Sequence, residues 1–213
     1  MTDFLRYLIV ILIAYLLGCL NPAYVIGRIK GVDVHALGSK NPGASNTMAL
    51  MGWKFGILVG VHDIAKAVLA TWLCFRLFPT LTLCREIAGL SCVLGHMFPF
   101  YLRFRGGKGF ASMIGMIAVL NWKFMLIMAV GIVLITLITD YIVLGTLTTA
   151  LAYPSYCLLT HQVTAAVLMA ALSALIFYKH RENIVRIIKG TEPGLHQANR
   201  GELRADKQPE DEP

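Results

Sequence analysis

Charge is scarce in this sequence. Only 15% of its 213 residues are Asp, Glu, Lys or Arg, where soluble domains carry about a quarter. So few charges cannot clothe a water-soluble globule of this size. Metal-ligand spacing is missing too: the five cysteines (Cys19, Cys74, Cys84, Cys92 and Cys157) lie within or at the ends of apolar runs and read as small membrane-embedded hydrophobes. No GxxxxGK[ST] loop occurs, which excludes a P-loop nucleotide site. Internal repeats and low-complexity stretches are absent, which weighs against the repeat-built transporters. The run 4–20 lacks a strongly basic leader and a small-residue cleavage site, so we expect an uncleaved first helix rather than a signal peptide.

What is abundant is apolar surface. Hydrophobic residues make up 57% of the chain and the mean hydropathy is +0.66. Hydropathy predicts seven spans, at 4–26, 52–78, 84–102, 107–120, 122–138, 141–160 and 162–178. Helix is the expected conformation because an open strand leaves backbone groups unsatisfied in lipid. The fold class expected is therefore an all-α integral membrane protein of about seven transmembrane helices. Residues 1–192 form one polytopic domain in this reading, and 193–213 form a charged tail of disordered composition.

The fourth segment is the weak one. Residues 110–120 alone are too short to cross, so this piece either borrows 107–109 or re-enters the membrane. Charge arbitrates. With seven spans, residues 27–51, 103–108 and 179–213 share one side. Of the 19 basic residues only Arg6, Arg76, Arg85 and Lys123 then fall opposite, with Lys66 in mid-span. The positive-inside rule puts that basic side in the cytoplasm, the C-terminus with it and the N-terminus outside. The net charge of +7 thus reads as cytoplasmic loops beside anionic lipid, and no nucleic-acid partner is expected.

Three hydrophilic segments on that side carry the chemistry. The first packs Gly38, Ser39, Asn41, Gly43, Ser45 and Asn46 into a small-residue loop rich in short hydrogen-bonding side chains. The second, Arg103-Phe-Arg-Gly-Gly-Lys-Gly109, runs into a helix. Glycines ahead of a helix leave N–H groups free for an anion, and Lys108 adds a point charge there. The third follows the last span, and on a helix it sets His180, Asn183 and Arg186 on one face. Ile184, Ile187 and Ile188 make that segment amphipathic, so it is expected to lie at the membrane interface. Within the spans, Asp63 and Lys66 sit at i, i+3 beside His62 and read as an internal ion pair. His96 is either a packed polar residue or part of the pocket.

Taken in order, Gly38-Ser-Lys-Asn-Pro-Gly-Ala-Ser-Asn46, Gly95-His-Met-Phe-Pro99 with Arg105-Gly-Gly-Lys-Gly109, and His180-Arg-Glu-Asn183 through Gly190-Thr-Glu192 resemble the PlsY-type bacterial acyl-phosphate:glycerol-3-phosphate acyltransferases. The resemblance implies transfer of a fatty acyl group from acyl phosphate to the 1-hydroxyl of glycerol 3-phosphate, giving lysophosphatidate and phosphate. It implies no metal and no cofactor, membrane lipid as surroundings, and a multi-pass place in the bacterial inner membrane with the site facing the cytoplasm. The family lacks the HxxxxD signature of other acyltransferases, and no histidine here starts one. Carried over by resemblance, Ser39, Lys108, His180 and Asn183 are the catalytic set. Gly106, Gly107, Gly109, Lys40, Asn41, Asn46, His96 and Arg105 surround the substrate phosphates.

The sequence also departs from that pattern. Ala49 stands where the family has a phosphate-binding arginine, His35 replaces an arginine, and Lys40 and Ala67 replace glycines. A membrane transporter, or a divergent paralogue with weakened or lost acyl transfer, are the competing readings.

Overall fold

A computed structural model describes residues 1–194, which form nine α-helices and one 3-10 turn, with no strand among the described residues. The tail predicted from residue 193 lies almost entirely outside them. The helices are α1 (Asp3–Cys19), α2 (Pro22–Lys30), α3 (Ala44–Met51), α4 (Trp53–Leu77), α5 (Cys84–Met97), α6 (Phe110–Leu120), α7 (Trp122–Thr139), α8 (Ile142–Leu159) and α9 (Val163–Ile188), with the 3-10 turn at Phe100–Leu102. Five segments are long and apolar enough to cross a membrane: α1 with α2, then α4, α7, α8 and α9. The chain is an all-helical membrane protein.

Four expected boundaries change. The first span breaks at Leu20–Asn21: Asn21 takes an extended backbone, its side-chain oxygen accepts from the Tyr24 N–H, and Pro22 opens α2. Proline has no N–H to continue α1 and a fixed φ suited to a first helical position. The third span ends at Met97 instead of 102, because Phe98-Pro99 stops the helix and a 3-10 turn follows. The fourth begins at Phe110; Gly109 is left-handed at φ 90°, so 107–109 stay outside. Finally, no break separates the last span from the third hydrophilic segment. Both form α9, and Ile184 and Ile187 pack onto the helical core instead of lying along the interface.

Small residues let the central helices approach. A Cβ at Gly18 would come 2.0 Å from the Cys92 carbonyl oxygen, and one at Gly95 would come 2.2 Å from that of Tyr15, so α1 and α5 cross backbone to backbone. The two cores flank α5. Val10, Ala14, Ala67, Ala70 and Cys92 fill one, while Met97, Met116, Met169, Leu172 and Ile176 fill the other. α7 stands apart: Ile127, Val130, Val133, Leu134, Leu137 and Ile138 are all exposed, a surface suited to lipid tails. All five cysteines are free and buried, as their apolar setting predicts.

Candidate active site

Chain order alone cannot say whether the three hydrophilic segments meet; in the structure they do. The His35 ring Nε2 donates to the Arg105 carbonyl at 2.8 Å, tying the first loop to the second. The Lys108 ammonium donates to Asn183 Oδ1 at 2.5 Å, tying the second to α9. Lys179 reaches the Met97 and Gly106 carbonyls at 3.4 Å each, with its charge 5.1 Å above the Phe98 ring.

Asn183 belongs to a longer chain of bonds. Its Nδ2 donates to Glu192 Oε1 at 2.5 Å, and Arg186 Nε donates to Glu192 Oε2 at 2.7 Å. The carboxylate thereby fixes which end of the amide faces Lys108. Lys108 itself is half-buried. Burial first, then the nearby Arg186 charge, pushes its ammonium down from the usual lysine range to about 8. His180 is buried, and its Nδ1 lies 2.8 Å from the Ile176 carbonyl. A carbonyl can only accept, so Nδ1 carries the hydrogen and a neutral ring keeps its lone pair on Nε2.

The glycine run is held from behind. The Gly106 N–H donates to the Met97 carbonyl and the Gly107 N–H to the His96 carbonyl, both at 3.1 Å. A Cβ on Gly107 would stand 2.1 Å from His96 Nε2. His96 is therefore a packed residue behind the loop, and its Nδ1 lies 3.0 Å from Lys66 Nζ and 3.3 Å from Asp63 Oδ1. The predicted Asp63–Lys66 ion pair forms at 2.7 Å, both side chains buried, and Lys66 also donates to the Leu20 carbonyl at 2.7 Å. That carbonyl lost its helical partner when the Tyr24 N–H turned to Asn21. Since alanine at position 107 cannot fit without moving the loop or the imidazole, we expect the Gly107→Ala enzyme to lose at least about tenfold in kcat/KM. It should still purify as folded protein, and steady-state kinetics on the purified variant checks this.

The first loop is built around Asn46. Its Nδ2 donates to the Val34 and Leu37 carbonyls at 3.1 and 3.2 Å, and its Oδ1 accepts the Ser39 N–H at 2.8 Å. Asn46 is buried and braces the loop from within, whereas Ser39, Lys40 and Arg105 are exposed and Asn41 is half-buried. Lys40 sits in the left-handed region at φ 56°, a conformation that glycine adopts without strain.

A model of the family described as "Glycerol-3-phosphate acyltransferase" matches residues 8–190. The chain belongs to that family. Among curated glycerol-3-phosphate acyltransferases, those of Bacillus cytotoxicus and Oceanobacillus iheyensis are 38% and 35% identical, each alignment covering 89% of this chain and 95% of the relative. The one of Photobacterium profundum is 39% identical over 89% of this chain and 93% of its own. The crystal structure of PlsY (YgiH), an integral membrane glycerol 3-phosphate acyltransferase in its glycerol 3-phosphate form, superposes with a TM-score of 0.84 at 30% identity, covering 95% of this chain and 99% of that one. The lysophosphatidic acid form gives 0.79 at 31%, covering 88% and 94%.

Within this acyltransferase frame, sequence reasoning misses two groups. Glu192 stands in the sequence only as the end of a motif; a lone acid after a basic helix is the available signal for a clamp on Asn183 and Arg186. His35 shows there only as a departure from the family pattern, although it joins the two loops.

Proposed function

We propose that the chain transfers a fatty acyl group from acyl phosphate to the 1-hydroxyl of glycerol 3-phosphate, releasing lysophosphatidate and orthophosphate. Acyl transfer to glycerol 3-phosphate is the activity of its family, and the chain is an enzyme of that kind; the phosphate donor is the finer part of the reading. The observation that carries it is the Lys108–Asn183 bond, which sets a cation beside the glycine run and the His180 helix face. Membership of this family displaces the transporter reading.

The chemistry follows from charge. Acyl phosphate is a mixed anhydride and already activated, so the protein must chiefly hold two anions together and offset their repulsion. Lys108 and Gly109 at the start of α6 face one phosphate group. The Gly106 and Gly107 N–H groups, expected free for an anion, are instead taken by the Met97 and His96 carbonyls and shape the loop, and Arg105 lines a neighbouring cavity. Ser39, Lys40, Asn41, His180 and Asn183 take the glycerol phosphate, with Asn46 and His96 as the braces behind. The substrate hydroxyl oxygen attacks the acyl carbonyl carbon, the bond from that carbon to the phosphate oxygen breaks, and the hydroxyl proton goes to a phosphate oxygen. His180 Nε2 is the other acceptor the tautomer allows. No metal or cofactor enters.

Seven passes remain the topology we favour, with residues 1–192 acting as one domain. The 11 residues of α6 rise only about 16 Å, short of a full hydrocarbon core. The α6–α7 turn at Asn121, whose side chain donates to the Tyr156 hydroxyl, is therefore read as lying within the membrane's depth. Asp140 packs beside Gly194, so the 139–141 turn lies at the same end as the site. At the other end the Tyr7 hydroxyl donates to the Thr82 carbonyl. The basic end then faces the cytoplasm across the bacterial inner membrane, with the N-terminus outside.

The deciding assay supplies glycerol 3-phosphate with palmitoyl phosphate or palmitoyl-CoA. Lysophosphatidate from the first alone supports the proposal; product from the CoA thioester alone overturns it. Ala49 removes a guanidinium that the family directs at phosphate, so Ala49→Arg should lower KM for glycerol 3-phosphate by about tenfold, the order of one charge-assisted bond. An unchanged KM would mean that the site has been rearranged around other cations.

A further inference from the structure

A cavity of about 440 Å³ opens between the end of α2, residues 31–35 and the 3-10 turn. Lys108, His180 and Asn183 do not line it. Three exposed arginines do: Arg28 at the end of α2, and Arg103 and Arg105 after the 3-10 turn. Among the described residues no carboxylate forms an ion pair with any of them. The one acid in the wall, Asp33, already accepts the His35 N–H at 2.9 Å. Three arginines against one carboxylate leave the wall of this open cavity with a net positive charge, which a bound anion would offset. The opposite wall is aromatic and apolar: Tyr24 stacks edge-on to Tyr101 at 6.4 Å, next to Val34 and Leu102.

We propose that this cavity is a second anion site, separate from the Lys108 cluster, which takes a phosphate dianion. Arginine forks match phosphate oxygens in pairs, which a lysine surface would not do. The volume suits a single phosphate-bearing head. Two sources share that chemistry: free orthophosphate and the head group of a lysophosphatidate lying at the membrane surface. The His35–Arg105 bond joins the cavity wall to the glycine run, so an occupant here sits one loop away from where phosphate is released. The inference stands whichever acyl donor the enzyme uses.

The test measures binding, without acyl donor, on detergent-purified full-length protein. Lys108→Met serves as background to silence the other phosphate site. Orthophosphate, and separately lysophosphatidate in neutral detergent micelles, are titrated by calorimetry into Lys108→Met and into Lys108→Met/Arg28→Gln/Arg103→Gln. We expect at least one probe to bind the first protein and to bind the second about tenfold more weakly or worse. Orthophosphate binding assigns the free ion, and lysophosphatidate binding alone assigns the lipid head. Equal affinity in both proteins, or no binding of either probe to Lys108→Met, overturns the proposal. Arg28→Gln/Arg103→Gln with Lys108 intact should keep its kcat at saturating substrates, which shows that the fold has survived the loss of two exposed arginines.

Discussion

The Lys108→Met enzyme should turn over glycerol 3-phosphate with kcat/KM at least a hundredfold below the parent, the order seen when one electrostatic donor is removed from a reacting centre (about 10²–10³). Its fold should hold, because the lysine is only half-buried and methionine fills a similar length. The same residue predicts a pH limb. Its ammonium is held down at about 8, so the charge is present below that pH and lost above it. kcat/KM for glycerol 3-phosphate should therefore fall as pH rises through about 8. Stability should move the other way. An unfolded lysine titrates near 10.4, so between about 8 and that value the unfolded chain binds more protons, and the native state gains as pH rises. Lys108→Arg keeps its charge throughout and should lose the alkaline limb even where its plateau is lower. Persistence of the same limb in Lys108→Arg would assign it to another group.

Long apolar runs make much of the fold legible in the sequence. The predicted 52–78, 122–138 and 141–160 fall within two residues of α4, α7 and α8 at each end, because a helix in lipid needs little beyond length and hydropathy. What hydropathy averages away is missed. Asn21-Pro22 is an N-cap followed by a first-turn proline, a helix start that an apolar window cannot register. The opposite error arises at α9, where polarity at Lys179 imitates a helix end. Nothing from Lys179 to Ile188 breaks a helix, and leaving the membrane is a change of solvent rather than of conformation. At the site, residue types and order point to the three segments. Their meeting depends on His35 and Glu192, whose partners lie 70 and 9 residues away, and single-chain periodicity carries no information on such pairs.

Lys66→Met should be the most destabilising single change outside the site. Asp63 and Lys66 are 2% and 4% exposed, so the substitution leaves a carboxylate buried without its cation, a loss of about 3–5 kcal/mol. For a chain of this size that corresponds to a fall of roughly 10 °C in Tm, readable by thermal denaturation in detergent. Asp63→Leu/Lys66→Met removes both charges and should recover most of that stability, since replacing a buried pair with apolar groups is often neutral. Activity should not recover with it. The Lys66 ammonium also holds the freed Leu20 carbonyl at the α1–α2 break and lies against the His96 ring, which supports Gly107 from behind. If the double variant regained full kcat/KM as well as Tm, the cluster would be a charge pair and no more. Recovery of Tm alone makes it the brace that joins the break in the first span to the phosphate loop.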